Sequence, residues 1–419
     1  MRPEPPPPPA LKRRAPEEDA RTYRFLTYVM GGGVRVRAHE KLRDEVTPVR
    51  AASLRGQLRF WWRACNPSGC TTLDELRRRE GEIWGTTSQA SRVVVDVLEQ
   101  PGPPALVQVY EYNDRGRTAL VGGMREIAYG AFPLQPDKNA QARREKPGVL
   151  FDYGTRTFKI CFSYPRELQA EVRAALWAWE TFGGLGARTR RGFGAVARVG
   201  APRSLEQIER ELQAVRSSVR ISGVPSLSGA RLVTARSSFT GSLRAWKEAL
   251  GVLQALRQGV NLGRNRSLNN RPAGRSRWPE PDELRRITGC AAPRHRGPVV
   301  SVQRFPRARF GLPIVFHFVG GEGDPDFKPF QVHPRGHDRF PSPLILRPLP
   351  DGSQFRAAAL ALTAETPSDL VLTYGTSMAN VQWQLNGSLA ARIPVMNDGT
   401  ARPSVFTDPI DRFLWELKK

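Results

Sequence analysis

The stretch from Gly183 to Gly194 packs five glycines, three arginines and one aromatic residue into twelve positions, with no acidic residue among them. Glycine frees the backbone for positive φ and lets main-chain N–H groups approach a ligand without a Cβ in the way, while arginine offers a planar fork to phosphate oxygens. In composition this is a phosphate-facing loop, with Gly183, Gly184, Gly186, Gly192 and Gly194 as backbone elements, Arg188, Arg190 and Arg191 as forks, and Phe193 placed to stack on a base. From Pro165 onward, Leu168, Val172, Ala175, Leu176, Trp179 and Phe182 recur at helical spacing, and Gly183 stands where a C-cap glycine belongs. Phe193 to Val199 reads as a strand, so the loop joins a helix to the strand that follows it.

The usual nucleotide fingerprints are missing: there is no Gly-x-x-x-x-Gly-Lys-Ser/Thr, and a dinucleotide pattern would need a third glycine at position 189 and a helix after the loop. From the residues alone, a tight solvated connection whose arginines keep it soluble is an equal alternative. The succession of helix, Gly-Gly-x-Gly-x-Arg-x-Arg-Arg-Gly-x-Gly and strand resembles the glycine-rich loop of the RAMP superfamily of CRISPR proteins. That resemblance implies ferredoxin-like folds and RNA binding.

The charge balance points the same way. Among 419 residues, 64 Lys plus Arg stand against 40 Asp plus Glu, a net charge of +24. Such a surplus favours polyanionic partners, with nucleic acid ahead of an anionic membrane surface. No stretch approaches the roughly 18 uninterrupted apolar residues that a membrane span needs, and no apolar signal core opens the chain, so a cytoplasmic protein is expected. Cys65, Cys70, Cys161 and Cys290 do not make a disulfide scaffold in so long a chain. Cys65 and Cys70 with Cys290 and His295, or His333 with His337, are spaced too loosely for a zinc site, and no metal or cofactor is expected.

The chain opens on a proline-rich tail, expected to be disordered over residues 1–22. A first strand is expected over Tyr23 to Val29, followed by a helix from Thr47 and Pro48, as N-cap and first turn, through Ala64. On this helix Leu54, Leu58, Trp61 and Cys65 form an apolar stripe, and Arg55, Arg59 and Arg63 line up at four-residue steps beside Trp62. Gly56 costs about 1 kcal/mol relative to alanine in a helix interior, which suggests a close backbone or ligand. Thr47, Pro48, Val49 and Arg50, followed by Ser53 through Arg63, are similar to the amino-terminal signature of the first-numbered RAMP subunits of the Cmr complex, the type III-B CRISPR effector. Glu126 to Gly130 resembles another short piece of that family, and Gln135 to Pro147 reads as a mobile basic insertion.

The order strand, helix, strand, strand, helix, strand predicts an amino-terminal ferredoxin-like domain over residues 23–200. A connector over 201–235 is expected to lead to a second such domain over 236–419, whose first long helix carries Leu243, Trp246, Leu250, Leu253 and Leu256. The fold class is therefore α+β, two tandem ferredoxin-like RAMP domains with insertions. From Asn261 to Arg309 there are twelve arginines, no lysine and three acidic residues. With Trp278, Phe305 and Phe310 interspersed, this has the mixture of cations and stacking surfaces of a single-strand RNA groove. Arg264, Arg266, Arg277, Arg307 and Arg309 are its candidate contacts, and a weakly binding basic loop is the alternative. Ser276 to Glu280, Phe305 to Ile314 and Arg339 to Pro348 resemble second-domain signatures of the same family.

RNA cleavage without metal needs a base, an acid and a charge stabiliser. His39, between the first strand and first helix, is the best candidate base, by resemblance to guide-processing RAMP endonucleases. His317 reads as a packed strand residue, and Asp324 with Asp326 as a loop cap. In the Cmr complex catalysis is attributed to other subunits. The resemblance thus implies a non-catalytic protein that binds guide RNA or target RNA beside other RAMP subunits through Arg50, Arg55, Arg59, Arg63 and the glycine and arginine segments; the alternative is a guide-processing endoribonuclease using His39.

Overall fold

The computed structural model describes residues 17–31, 47–216, 219–266, 274–318, 323–325, 330–400 and 404–419. Most of the proline tail, together with His39, Arg271 and Asp326, lies outside them. The protein is a mixed α+β structure. Its first half comprises β1 (Glu17–Phe25), α1 (Ala51–Cys65), α2 (Leu73–Trp84), β2 (Val94–Glu99), β3 (Ala105–Gln108), β4 (Tyr110–Tyr112), β5 (Thr118–Leu120), α3 (Arg125–Gly130), α4 (Lys138–Ala142), β6 (Val149–Asp152), β7 (Thr157–Tyr164), α5 (Gln169–Phe182) and β8 (Val196–Arg198). Then follow α6 (Leu205–Arg216), β9 (Ser226–Phe239), α7 (Ser242–Gln258), α8 (Glu280–Thr288), β10 (Ile314–Phe316), β11 (Phe330–Pro334), β12 (Leu344–Asp351), β13 (Gln354–Thr363), β14 (Leu370–Tyr374), β15 (Ser377–Val381), α9 (Gly387–Ala391) and α10 (Pro409–Lys418).

The first sheet runs β2-β7-β1-β8, every neighbour antiparallel, with α1 following β1 and α5 following β7. β3 to β6 and α3 are inserted between β2 and β7. In β7 the sequence alternates Phe158, Ile160, Phe162 and Tyr164 inward with half-exposed residues between, so one face of the sheet is apolar and takes both helices. The second half repeats the first five elements of this plan as β9, α7, β12, β13 and α10, with pairing order β12-β13-β9. A separate sheet, β10-β11-β14-β15, covers its own small core around Phe305, Phe316, Phe330 and Leu372.

The three-stranded sheet is covered on both faces, which explains the apolar stretches Leu344 to Leu346 of β12 and Ala357 to Leu362 of β13. Ile345, Leu349, Ala358, Leu360 and Leu362 face the core of the first sheet's helices. Leu344, Leu346, Ala357, Ala359 and Ala361 face the core under α7 and α10. The layers therefore stack as sheet, helices, sheet, helices. The three small alanines on the second face let α7 approach closely enough to bury Trp246 completely.

Several sequence expectations are corrected. β1 begins at Glu17, inside the expected tail, because Asp19 and Arg21 pair with one another and Arg21 reaches the buried Glu180 at 2.8 Å. A polar strand whose charges neutralise each other internally reads as tail. β9 begins at Ser226, inside the expected connector; small and polar residues suit a strand packed between helices but carry no periodic signal. α1 starts at Ala51 with Arg50 at the N-cap, rather than at Thr47 and Pro48. The insertion holds the short helix α4, whose first turn Asp137 caps at Ala140 N, 2.7 Å. His317 is exposed just past β10 rather than packed.

Asp324 does cap a loop. It accepts from Arg285 Nε at 2.9 Å and Ala292 N at 3.2 Å, and lies 2.6 Å from His295 Nδ1. Burial alone would raise its pKa, but these partners bring it from 3.8 down to about 2. With the folded value below the unfolded one, the stabilisation is present above about pH 4 and is lost as pH falls toward 2. Asp324→Asn is expected to lower stability at neutral pH and to flatten the acid limb of a urea-midpoint against pH profile. An unchanged acid limb would sink this assignment.

Candidate nucleic-acid interface

The glycine loop leaves α5 at Gly183, whose N–H donates to Trp179 O at 2.7 Å. Leu185 N then donates to Gly194 O (2.9 Å), Ala187 N to Met30 O (2.7 Å) and Gly194 N to Tyr28 O (2.8 Å). A Cβ on Gly194, at φ +61°, would fall 1.9 Å from Leu185 O, and one on Gly192, at φ +81°, 2.6 Å from the Trp246 ring nitrogen. These glycines are required because the chain passes against itself and against α7. That corrects the expected phosphate cradle: the N–H groups of Gly183, Leu185, Ala187, Arg191, Gly192 and Gly194 are used internally. Only Gly186 and Ala187 are exposed at the tip.

Two of the loop's arginines reach the second half of the molecule, and the third turns to α3 and the residues after it. Arg188 donates to Gly130 O at 2.9 Å and sits 4.4 Å from the Phe132 ring centre. Arg190 donates to Ser342 O and stacks 5.1 Å from Phe60. Arg191 donates to Phe310 O at 3.3 Å, and its own carbonyl accepts from Trp246 Nε1 at 2.7 Å. Among the described residues none of the three has a carboxylate partner. Burial lowers the pKa of Arg188; it pushes Arg190 and Arg191 down to about 10, which leaves those two charged at neutral pH. Phe193 is fully buried with its ring centre 4.7 Å from that of Trp246. It has no face open to a base, and the expected stacking role is corrected.

α1 contributes less charge than its sequence suggests. Arg59 and Arg63 both reach Glu80 of α2, at 2.7 and 2.5 Å. Trp62 belongs to the core and donates to Glu171 at 3.1 Å. Arg55 is exposed and Arg50 half-buried. A Cβ on Gly56 would meet nothing within 4 Å, so among the described residues no other element approaches it.

The arginine-rich segment is also largely internal. Trp278, Phe305 and Phe310 are core residues, which removes the expected stacking surface. The three acidic residues are buried among its arginines: Glu280 takes Arg307 at 3.0 Å, Asp282 takes Arg285 at 2.9 Å and Arg275, and Glu283 takes Arg286 at 2.6 Å. Arg309 is bound to Asp408 at 3.0 Å, and Arg277 to the carbonyl of Asn261. Burial lowers the pKa of Arg264, Arg277 and Arg307. Arg266, Arg294 and Arg296 are exposed.

Three participants carried no sequence signal as site residues. Arg257 of α7 lies close enough to Arg188, Arg191 and Arg307 to repel them. Tyr129 of α3 faces Arg188 and Arg191. Arg347 interrupts the apolar run of β12 and donates to Glu180 O at 2.6 Å and to Gly183 O and Val196 O, tying the end of α5 and the loop to the second sheet. A charged residue inside a strand buried on both faces was the one available clue. Among the described residues no group of three His, Cys, Asp or Glu is placed to hold a metal, and no helix is long and apolar enough to cross a membrane.

The first sheet, its two helices and the glycine loop coincide with a match to the RAMP superfamily model over residues 22–197. The chain is similar to the CRISPR system Cmr subunit Cmr1-1 of Pyrococcus furiosus, 27% identical over 159 residues that cover 38% of this chain and 42% of that protein. It thus spans less than half the length of that curated relative. Similar solved structures include the apo crystal structure of Cmr1 from Pyrococcus furiosus (TM-score 0.44, 15% identity, 83% of this chain and 88% of that one). The cryo-EM structure of the type III-B Cmr-beta bound to cognate target RNA is another (TM-score 0.41, 11% identity, 90% and 98%).

Proposed function

We propose that the chain is a non-catalytic RNA-binding subunit of a type III-B CRISPR-Cas (Cmr) ribonucleoprotein effector. In this reading it contacts the 3' region of the guide RNA, the target RNA, or both, beside other RAMP subunits of a cytoplasmic antiviral complex. The observation that carries the reading is the RAMP superfamily match over residues 22–197. The net charge of +24 and the naming of its relative as a Cmr subunit support it. We read the two repeated units as tandem ferredoxin-like domains, the second starting at β9.

Cations with solvent access are assigned to RNA phosphates: the half-buried Arg50 and the exposed Arg55 beside Gly56, with the exposed Arg266, Arg294 and Arg296 in the second half. Single-strand binding should then weaken with salt by roughly 0.7 log units per log of salt for each phosphate contacted. The double variant Arg50→Gln, Arg55→Gln is expected to reduce that slope by about 1.4, at unchanged stability, in a fluorescence-anisotropy titration with single-stranded RNA. An unchanged slope would remove this surface from the interface.

The test of the whole reading is to purify the tagged protein from its own host at gentle salt and sequence the RNA that accompanies it. Short spacer-containing guides together with other RAMP subunits support it. Precursor RNA that the isolated protein cuts, with cutting abolished by His39→Ala, would replace it with the endoribonuclease reading.

A further inference from the structure

A cavity of about 540 Å³ lies where α5 and α6 meet β1 and β8, and none of the residues assigned to RNA above lines it. Pockets that enclose small organic ligands measure roughly 300–1,000 Å³, so the space suits one such molecule. Asp19 and Arg21 of β1, Arg198 of β8, Arg173 of α5, Glu211 of α6 and Arg203 from the link before α6 give its walls four guanidiniums against two carboxylates. Both carboxylates are already taken. Arg21 Nε donates to Asp19 at 2.8 Å, Arg203 Nε lies 3.4 Å from Glu211, and Trp177 Nε1 donates to Glu211 at 2.5 Å. Arg21 and Arg203 also reach the buried Glu180, at 2.8 and 3.1 Å. Arg173 is exposed and Arg198 half-buried, and neither has a carboxylate at ion-pair distance among the described residues.

The remaining wall is apolar. Ala174 of α5 with Ala214 and Val215 of α6 stand beside the Trp177 ring, and their small side chains leave the space open. A ligand complementary to both walls is anionic at one end and flat and weakly polar at the other. We propose that this cavity binds one phosphorylated nucleoside unit, its phosphate held by Arg173 and Arg198 and its base laid against Ala174, Ala214 and Val215. A phosphate accepts from planar forks on two sides, here one from a helix and one from a strand. The unit comes either from a free nucleotide or from an RNA chain, and only the second source rests on the RNA-binding reading.

Calorimetric titration of the full chain with AMP, adenosine and inorganic phosphate tests the site. AMP is expected to bind more tightly than either of its parts, because the cavity has a wall for each. Arg198→Gln should weaken AMP about tenfold, the loss of one charge-assisted contact. Ala214→Phe sets a ring into the cavity from an exposed helix position without touching a charge, and should abolish saturable AMP binding at an unchanged unfolding temperature. Arg210→Gln removes the same charge from an exposed position of α6 outside the cavity, and should leave AMP binding as it is. That pattern supports the site with a free-nucleotide source, even if no RNA is bound.

If AMP does not bind, the same variants are titrated with a short single-stranded RNA. A weakening of about tenfold for both Arg198→Gln and Ala214→Phe, with Arg210→Gln unchanged, supports the site with an RNA source. AMP binding no tighter than inorganic phosphate, equal weakening by Arg198→Gln and Arg210→Gln, parental binding by Ala214→Phe, or no binding of either AMP or RNA overturns the proposal.

Discussion

Arg347→Ala is expected to lower stability by about 3 kcal/mol. The side chain is 4% exposed and reaches three backbone carbonyls at once, those of Glu180, Gly183 and Val196. Hydrogen bonds from a charged donor contribute roughly 1.5–3 kcal/mol each, and the three carbonyls would be left buried without a donor. Part of that loss is returned, because burial already pushes the Arg347 pKa down to about 9 and its removal relieves a desolvated charge. Two of the carbonyls lie at the end of α5, where a cation also meets the negative end of the helix dipole. Arg347→Lys should recover less than half, since an ammonium lacks the planar fork that reaches three acceptors. Urea unfolding checks both variants; a loss under about 1 kcal/mol for alanine would mean that the arginine does not hold the two halves together.

Phe193 yields the second large effect and separates packing from recognition. Its ring is wedged between Trp246 and Gly130, where a Cβ would fall 2.7 Å from the Phe193 ring. Phe193→Ala should cost about 3–5 kcal/mol through the cavity it leaves. RNA binding would fall with it, but through loss of the folded loop. Phe193→Leu keeps most of the volume, should cost only about 1 kcal/mol, and should leave RNA affinity within about twofold. A base-stacking residue would behave otherwise, since stacking on an aromatic ring is worth roughly 1–3 kcal/mol per base. A folded Phe193→Leu protein that binds RNA more than about tenfold less tightly would restore the stacking role.

Local order was readable where side-chain periodicity decides it. The helices around Leu54 to Trp61, Val172 to Phe182 and Trp246 to Leu256 stand where their spacing predicts. The two strands whose starts were misplaced, β1 and β9, begin in segments whose polar residues are satisfied by distant partners such as Glu180, or whose small residues suit contact with helices. Neither property leaves a periodic trace within the segment itself.

The site was legible as a set of residue types and not as a set of exposures. Sequence by itself determined that Gly183 to Gly194 must be a tight turn between a helix and a strand, because five glycines and their flanking periodicities allow little else, and that the chain carries a large positive surplus. Only the tertiary structure decided which positive charges remain available. Glu80 claims Arg59 and Arg63, the buried acids of α8 claim Arg275, Arg285, Arg286 and Arg307, backbone carbonyls from the second half claim Arg190 and Arg191, and carbonyls from the first half claim Arg347. The physical reason is that a guanidinium serves an internal carbonyl, a buried carboxylate or an RNA phosphate with the same fork, and which of these it meets depends on residues up to 167 positions away in the chain.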